Sequence, residues 1–256
     1  MPERPIRVLN ERHLSASVVP VHRHLDRVQL ICAVRGLLRI KAAKLIWLVG
    51  PGSGVIIPAS CEHEIHVPGN AILRAVNISP SRLTNIHSCF VVQLGRLIDS
   101  LLHEVALLPA DHQLGGTESR LVDVLLDQIA SAPAQAFGLR QPEDPRARRI
   151  VDALLEDASD RRTLEAWGRE VGASRRTLSR IFESETGMSF RDYRRNAHLQ
   201  ISIGLLAEGF SVAQVADKLG YETVSAFIYA FRTVTGLAPG KYTQLSTGGA
   251  RPSRSK

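Results

Sequence analysis

Hydrophobic positions in the first eighty residues recur every second residue, in short runs cut by glycine and proline. Val28, Leu30, Cys32 and Val34 alternate with Gln29, Ile31, Ala33 and Arg35, then Gly36 leads into LLRI and KAAK turns into LIWLV. Pro51-Gly52-Ser53-Gly54 interrupts before VIIP and EIHV, Pro68-Gly69-Asn70 turns again, and AILRAVNI closes the series. Six or so strands at this spacing predict an antiparallel barrel or jelly roll. From Phe90 the period lengthens. Leu94, Leu97, Ile98, Leu101, Leu102 and Val105, and beyond Gly115-Gly116 Leu121, Val124, Leu125 and Ile129, predict two amphipathic helices. Their stripes suit either core packing on the barrel or pairing of subunits.

Ser131 to Pro145 carries three prolines and little periodicity, which marks a domain boundary. The expected organisation is a β-rich domain over 1–132 whose closing helices suit dimerisation, a linker over 133–145, a helical domain over 146–245 and a flexible basic tail over 246–256. Within the helical part the pattern predicts helices near 146–158, 163–171, 174–186, 190–207, 211–218 and 223–235, with a short one near Tyr242.

That helical part repeats itself. Leu164, Trp167, Val171 and Gly172 recur 48 residues later as Val212, Val215, Leu219 and Gly220, while Leu178, Phe182, Gly187 and Tyr193 recur 49 residues later as Phe227, Phe231, Gly236 and Tyr242. Two copies of this length indicate a duplicated helical module, here two helix-turn-helix units joined by one helix. In the first copy Gly172 permits a tight turn, Ser174 can cap the next helix, and Leu178, Ile181 and Phe182 turn inward. The outer face is then Ser174, Arg175, Arg176, Thr177, Ser179 and Arg180, forked guanidiniums and short hydroxyls suited to base edges and phosphates of double-stranded DNA. The second copy opens on a capping box, Ser211 with Gln214, and shows Thr223, Val224, Ser225 and Tyr229, a face without Arg or Lys and so expected to make fewer direct base contacts. Phe190 to Ala207 as one helix spans roughly 27 Å, of the order needed to set two recognition helices in successive major-groove turns.

Charge sharpens this reading. The net +7 is unevenly placed: residues 1–144 hold 14 Lys and Arg against 13 Asp and Glu, and residues 145–256 hold 18 against 12. A polyanionic partner therefore belongs to the C-terminal part. Cys32, Cys61 and Cys89 are odd in number and widely spaced, which predicts free thiols in a reducing compartment. The charged start MPERPIRVLNER lacks the apolar core of a signal peptide, and no apolar run has membrane-spanning length, so a cytoplasmic protein is expected.

Residues 163–242 resemble the DNA-binding domain of AraC/XylS-type transcription regulators. The shared pattern is SxxxLxRxF at Ser174–Phe182, GxSxxxY at Gly187–Tyr193, the Leu205-Leu206 pair, VAxxLGY at Val215–Tyr221, SxFxxxFR at Ser225–Arg232, and a closing Gly236, Pro239 and Tyr242. The resemblance implies an α+β two-domain chain, with a cupin-like antiparallel β-barrel before the double helix-turn-helix. It implies promoter DNA and RNA polymerase as partners and activation as the default, with a small organic effector as in regulators of efflux and catabolic genes. Three departures stand out: His198-Leu199 where the family has Arg-Leu, Ser202 at a common Ala position, and Tyr229 in place of a frequent Arg.

The barrel carries its own candidate chemistry. PVHRH places His22 and His24 on one side of a strand, and His63 follows the IPASCEH turn; with Gln29 they resemble the cupin ligand pattern of HxH, a carboxylate or amide, and a distant His. Three imidazoles suit a divalent transition metal, and a metal-dependent cupin enzyme bearing a DNA-binding appendage is the alternative reading. Gln29 stands where such enzymes have Glu, so the histidines are read as lining an effector pocket, with no catalytic role and no cofactor. Candidate pocket residues are His22, His24, Gln29, Trp47, His63 and Arg74, Trp47 through stacking on an aromatic ligand.

Overall fold

The computed structural model describes residues 5–84, 86–108, 116–132, 134–135, 138–235 and 237–241. Gly236, Tyr242 and the basic tail, which the sequence pattern singles out, lie outside them. Two antiparallel sheets form the N-terminal half. The first joins β1 (Ile6–His13), β8 (Ala71–Ile78), β3 (Val28–Arg35), β6 (Ser53–Ile57), β9 (Phe90–Gln93) and β10 (Ala134–Gln135) in that order. The second joins β11 (Leu139–Arg140), β5 (Leu45–Val49), β4 (Leu38–Ala42), β7 (His63–Val67) and β2 (Ser17–His22). Six of these strands are those the alternating pattern predicts. β1 and β2 add half-exposed strands, and Phe90–Gln93, which the change of period assigns to the helical region, pairs instead with β6.

The two-residue period sorts side chains into layers. Ile31, Ala33, Ile40, Trp47, Val49, Ile65, Leu73 and Ala75 meet between the sheets. Their neighbours face outward and are buried too. Leu30, Cys32, Ile56 and Val76 pack beneath α1 (Arg96–Leu107) and α2 (Thr117–Ser131), whose Ile98, Leu102, Leu125 and Ile129 fill the layer. Most of each helical stripe is thus consumed within the chain as core, while Leu97 and Val124 stay exposed. Burial on both faces is why β3 reads as a nearly continuous apolar run.

The C-terminal part forms α3 (Pro145–Glu156), α4 (Leu164–Val171), α5 (Arg175–Thr186), α6 (Phe190–Ala207), α7 (Val212–Lys218) and α8 (Val224–Thr235), of which α6, α5 and α3 lie against the second sheet. Ile46 and Leu48 of β5 share one buried cluster with Leu154, Trp167, Phe182, Ile201 and Phe231. The 133–145 stretch, expected to be a linker, contributes β10 and β11, which extend one edge of each sheet; Leu139 is buried and Gln141 N–H donates to the Lys44 carbonyl at 2.9 Å. Prolines leave intervening backbone free to pair at a sheet edge, which loop composition alone does not reveal.

Helix α6 lies directly on β5. The Leu48 N–H donates to Gln200 Oε1 at 3.0 Å, Lys41 Nζ on β4 pairs with Asp152 of α3 at 3.2 Å, and Gly50 meets Gly204 backbone to backbone. A Cβ on Gly50 would overlap Gly204 Cα, whereas one on Gly204 would meet Leu37 Cδ1 at 3.0 Å and Gly50 Cα at 3.3 Å. Gly50→Ala is expected to destabilise the chain by ~1–3 kcal/mol through overpacking. Gly204→Ala should be nearly neutral, because helix propensity returns up to ~1 kcal/mol. Urea midpoints of both variants check this; equal midpoints would show that α6 does not rest on Gly50.

Candidate nucleic-acid interface and histidine cluster

Each helix-turn-helix copy is built by the same local rules. Gly172 closes α4 in the left-handed region at φ 70°, and Ser174 then caps α5, accepting from Thr177 N–H at 3.1 Å and lying 2.9 Å from the Thr177 hydroxyl. Gly220 follows α7 at φ 69°, and Thr223 Oγ1 accepts from Ala226 N–H at 3.1 Å to cap α8. The turn after α7 is one residue longer. Ala173 N–H and Tyr221 N–H both return to the preceding helix, so Glu222 is the added residue, and its carboxylate sits 3.4 Å from Arg161. This accounts for the step from a 48- to a 49-residue repeat.

The inner faces bury Trp167, Leu178, Phe182 and Tyr193 in the first lobe and Val215, Leu219, Phe227 and Phe231 in the second. On the outside of α5, Arg175 pairs with Glu165 at 3.0 Å and Ser179 donates to Glu183 at 3.3 Å. Arg176 and Arg180, one helical turn apart and exposed, have no ion pair among the described residues. On α8, Val224 and Ser225 are exposed and Tyr229 is 76 % exposed. Arg232, absent from the face expected of this helix, is exposed and lines a shallow depression with Ser225 and Tyr229. Spacing of i, i+4 and i+7 from Ser225 is the signal that could have found it.

Between α6, the loop before α4, and α8 lies a cleft of about 500 Å³, lined by Arg161, Arg191, Arg194, Arg195, His198 and Tyr229 among others. Tyr229 belongs both to this cleft and to the exposed face of α8. Three of these arginines are legible in sequence only as charge in RDYRR; the fold turns them to one side. Arg194 stacks over Phe190 at 4.5 Å and donates to the Arg162 carbonyl, while Arg195 pairs with Asp192. His198, at the position where the resembled family carries Arg, is buried with Nδ1 3.4 Å from the Tyr221 hydroxyl. Burial, then the Arg194 and Arg161 charges, push its pKa down to about 4.

The histidines meet in the N-terminal half. His22 ends β2, His63 opens β7 as its pair, and His24 sits in the connection to β3 rather than on the strand with His22. The ring centroids of His22 and His63 are 4.2 Å apart, and His24 lies 5.1 and 5.7 Å from them. Gln29 reaches in from the facing sheet, its amide 3.3 Å from His24 Nε2 and 3.1 Å from Asn77 Oδ1. Asn77, paired in register with Gln29, is a polar inward position on β8 that counting in twos from Leu73 and Ala75 would have flagged. Burial pushes the His63 pKa down to about 4 and lowers that of His24.

Two expected pocket residues fall elsewhere. Arg74 alternates with Leu73 and Ala75 and therefore faces α1, bonding Asn10 Oδ1 at 2.9 Å and Asp99 at 3.6 Å. Trp47 is fully buried between the sheets, separated from the β2 edge by Ile40 and Ile65 in register. It is core. Cys61 and Cys89, widely separated in sequence, come within 3.6 Å, and the Cys61 carbonyl holds His63 Nδ1 at 3.0 Å.

His198 gives a pH test. Its unfolded value near 6.5 exceeds its folded value of about 4, so the unfolded chain binds more protons in between and stability falls as pH drops through that window. Wild type should lose up to about 2 kcal/mol more than His198→Gln between pH 7 and pH 5. Urea unfolding at both pH values reads this, and parallel losses would refute it.

A helix-turn-helix domain family matches residues 167–244, and the AraC-like ligand binding domain family matches residues 6–171. The chain is 31 % identical over 237 residues to the HTH-type transcriptional regulator NimR of Escherichia coli K12, covering 91 % of this chain and 86 % of that one. It is 26 % identical over 234 residues to the transcriptional activator NphR of a Rhodococcus species, covering 83 % and 69 %. Among solved structures, ToxT of Vibrio cholerae aligns over 96 % of this chain and all of that one at 14 % identity, with a TM-score of 0.40, a level that does not itself establish a shared fold. A ligand-binding family over two thirds of the length, a helix-turn-helix family over the rest, and a near full-length relative together place this protein among the AraC-type transcriptional regulators.

Proposed function

We propose that this regulator reads promoter DNA unequally with its two lobes, α5 supplying the base-specific contacts and α8 a shape- and phosphate-dependent one. The observation that carries this is the pair Arg176 and Arg180, exposed and free of ion pairs on the first turns of α5 among the described residues, where α8 offers Val224, Ser225 and Tyr229 and only the single Arg232 near its end. Guanidiniums in that state are available to guanine edges without first breaking a salt bridge. Ser174 and Thr223 act as helix caps that place backbone and hydroxyls near phosphates, with Arg175, Thr177, Ser179, Val224, Ser225 and Tyr229 around them. The basic cleft beside Tyr229 receives the phosphate backbone between the two reading sites.

The chain acts by binding, with no catalytic step, as its relatives are transcriptional regulators. The effector site is the cluster of His22, His24, Gln29 and His63. Promoter-bound protein meets RNA polymerase. If subunits pair through α1 and α2, they use the outer face that carries Leu97 and Val124, since the inner stripes are occupied.

Fluorescence anisotropy with the DNA upstream of its own gene tests the reading. Arg176→Ala with Arg180→Ala should lose about ten- to a hundredfold in affinity and flatten the preference between operator and random DNA. Tyr229→Ala should lose less, and Arg191→Ala should weaken both DNAs alike and lower the salt slope by about one. Wild-type binding by the double variant would move base reading off α5.

A further inference from the structure

The histidine cluster has an unusual deficit: it is made of acceptors. His22 Nδ1 lies 2.7 Å from the Pro20 carbonyl and His63 Nδ1 3.0 Å from the Cys61 carbonyl. A carbonyl only accepts, so each Nδ1 carries the proton and each Nε2 presents a lone pair. His63 Nε2 is buried and bonds to nothing among the described residues. One nitrogen from each of His22, His24 and His63 falls within 4.8 Å of the others. The facing Nε2 lone pairs of His22 and His63 have no hydrogen between them, and at the buried His63 that costs desolvation with no compensating bond. A metal cation is one group that engages all three nitrogens at once, and their spacing allows it.

The surrounding shell fits that group. Imidazole ligands are oriented by a carbonyl or carboxylate on the opposite ring nitrogen, which Pro20 and Cys61 supply. At His24 the neighbour is the Gln29 side chain, which is held by Asn77, lies 3.3 Å from Nε2 and fixes the side from which that ring is approached. We propose that His22, His24 and His63 bind one divalent first-row transition metal ion of the zinc or cobalt kind, its remaining positions left to water or to an oxygen of an effector. This rests on reading the same cluster as the effector site, and it makes the metal either the signal or the anchor for one. Three neutral nitrogen ligands with open positions suit such an ion, whereas calcium or magnesium would require oxygen ligands.

The test uses the full chain without an affinity tag, dialysed against chelator and titrated with Co²⁺. One ion per chain is expected, with visible d–d bands and no thiolate charge-transfer band. His22→Ala and His63→Ala should each weaken uptake at least ~tenfold. Because a buried substitution can simply unfold the chain, Gln29→Glu provides a gain-of-binding arm: a carboxylate there should tighten uptake, with an unchanged circular dichroism spectrum. No saturable uptake, equal uptake by the alanine variants, or thiolate bands placing the ion on Cys61 and Cys89 would each overturn the proposal. DNA binding measured on the same samples separates the readings. Failure to take up Co²⁺ with operator binding intact removes the metal alone, and loss of operator binding with Co²⁺ held removes the α5 assignment alone.

Discussion

Ile46 and Leu48 are the residues on which the whole arrangement turns. They alternate with Trp47 and Val49, so when those enter the sandwich these must leave it, and an apolar pair on an outer sheet face has to be covered. What covers it is the helical domain. The second sheet therefore lacks a solvent face beneath α6, and the two halves of the chain share a hydrophobic layer instead of being tethered by a loop. A boundary that composition draws at 133–145 is crossed by core, by strand pairing at β11 and by the Gly50–Gly204 contact.

This gives physical content to coupling between the halves. Helix α6 fixes the separation of the two lobes, and it rests on β5. From β5, register runs through Ile46–Lys41 and Trp47–Ile40 to β4 and on to His63 at the head of β7. An event at the histidine cluster that shifts β7 is thus two strand pairings from the helix that spaces the DNA-reading units. Packed interiors transmit displacement rather than absorb it, and α6 lies directly on this sheet.

Much of the fold is legible in the chain. Leu178, Ile181 and Phe182 against Arg175, Arg176 and Arg180 are separable by periodicity alone, and the caps at Ser174 and Ser211 stand in the sequence. Helix boundaries in the second half consequently fall within a residue or two of expectation. The sensor half is harder because both sheet faces are buried: alternation cannot say which face is inner when both are apolar. Arg74 shows the cost, being polar, buried and turned toward α1 rather than toward the histidines. Asn77 and the Cys61–Cys89 proximity depend on register and on closure of the sandwich, which no local pattern carries. The convergence of His22, His24 and His63 can be anticipated, but the tautomers that define its chemistry come from two backbone carbonyls that only coordinates reveal.

Glu222 separates the two lobes in a way that its place in a turn makes harmless. A residue added within a helix would rotate everything after it by about 100° and bury the wrong face. Added in the turn, it leaves both caps and both cores intact. The exposed faces of α5 and α8 can accordingly differ, arginines on one and Tyr229 on the other, without any change to the cores beneath them.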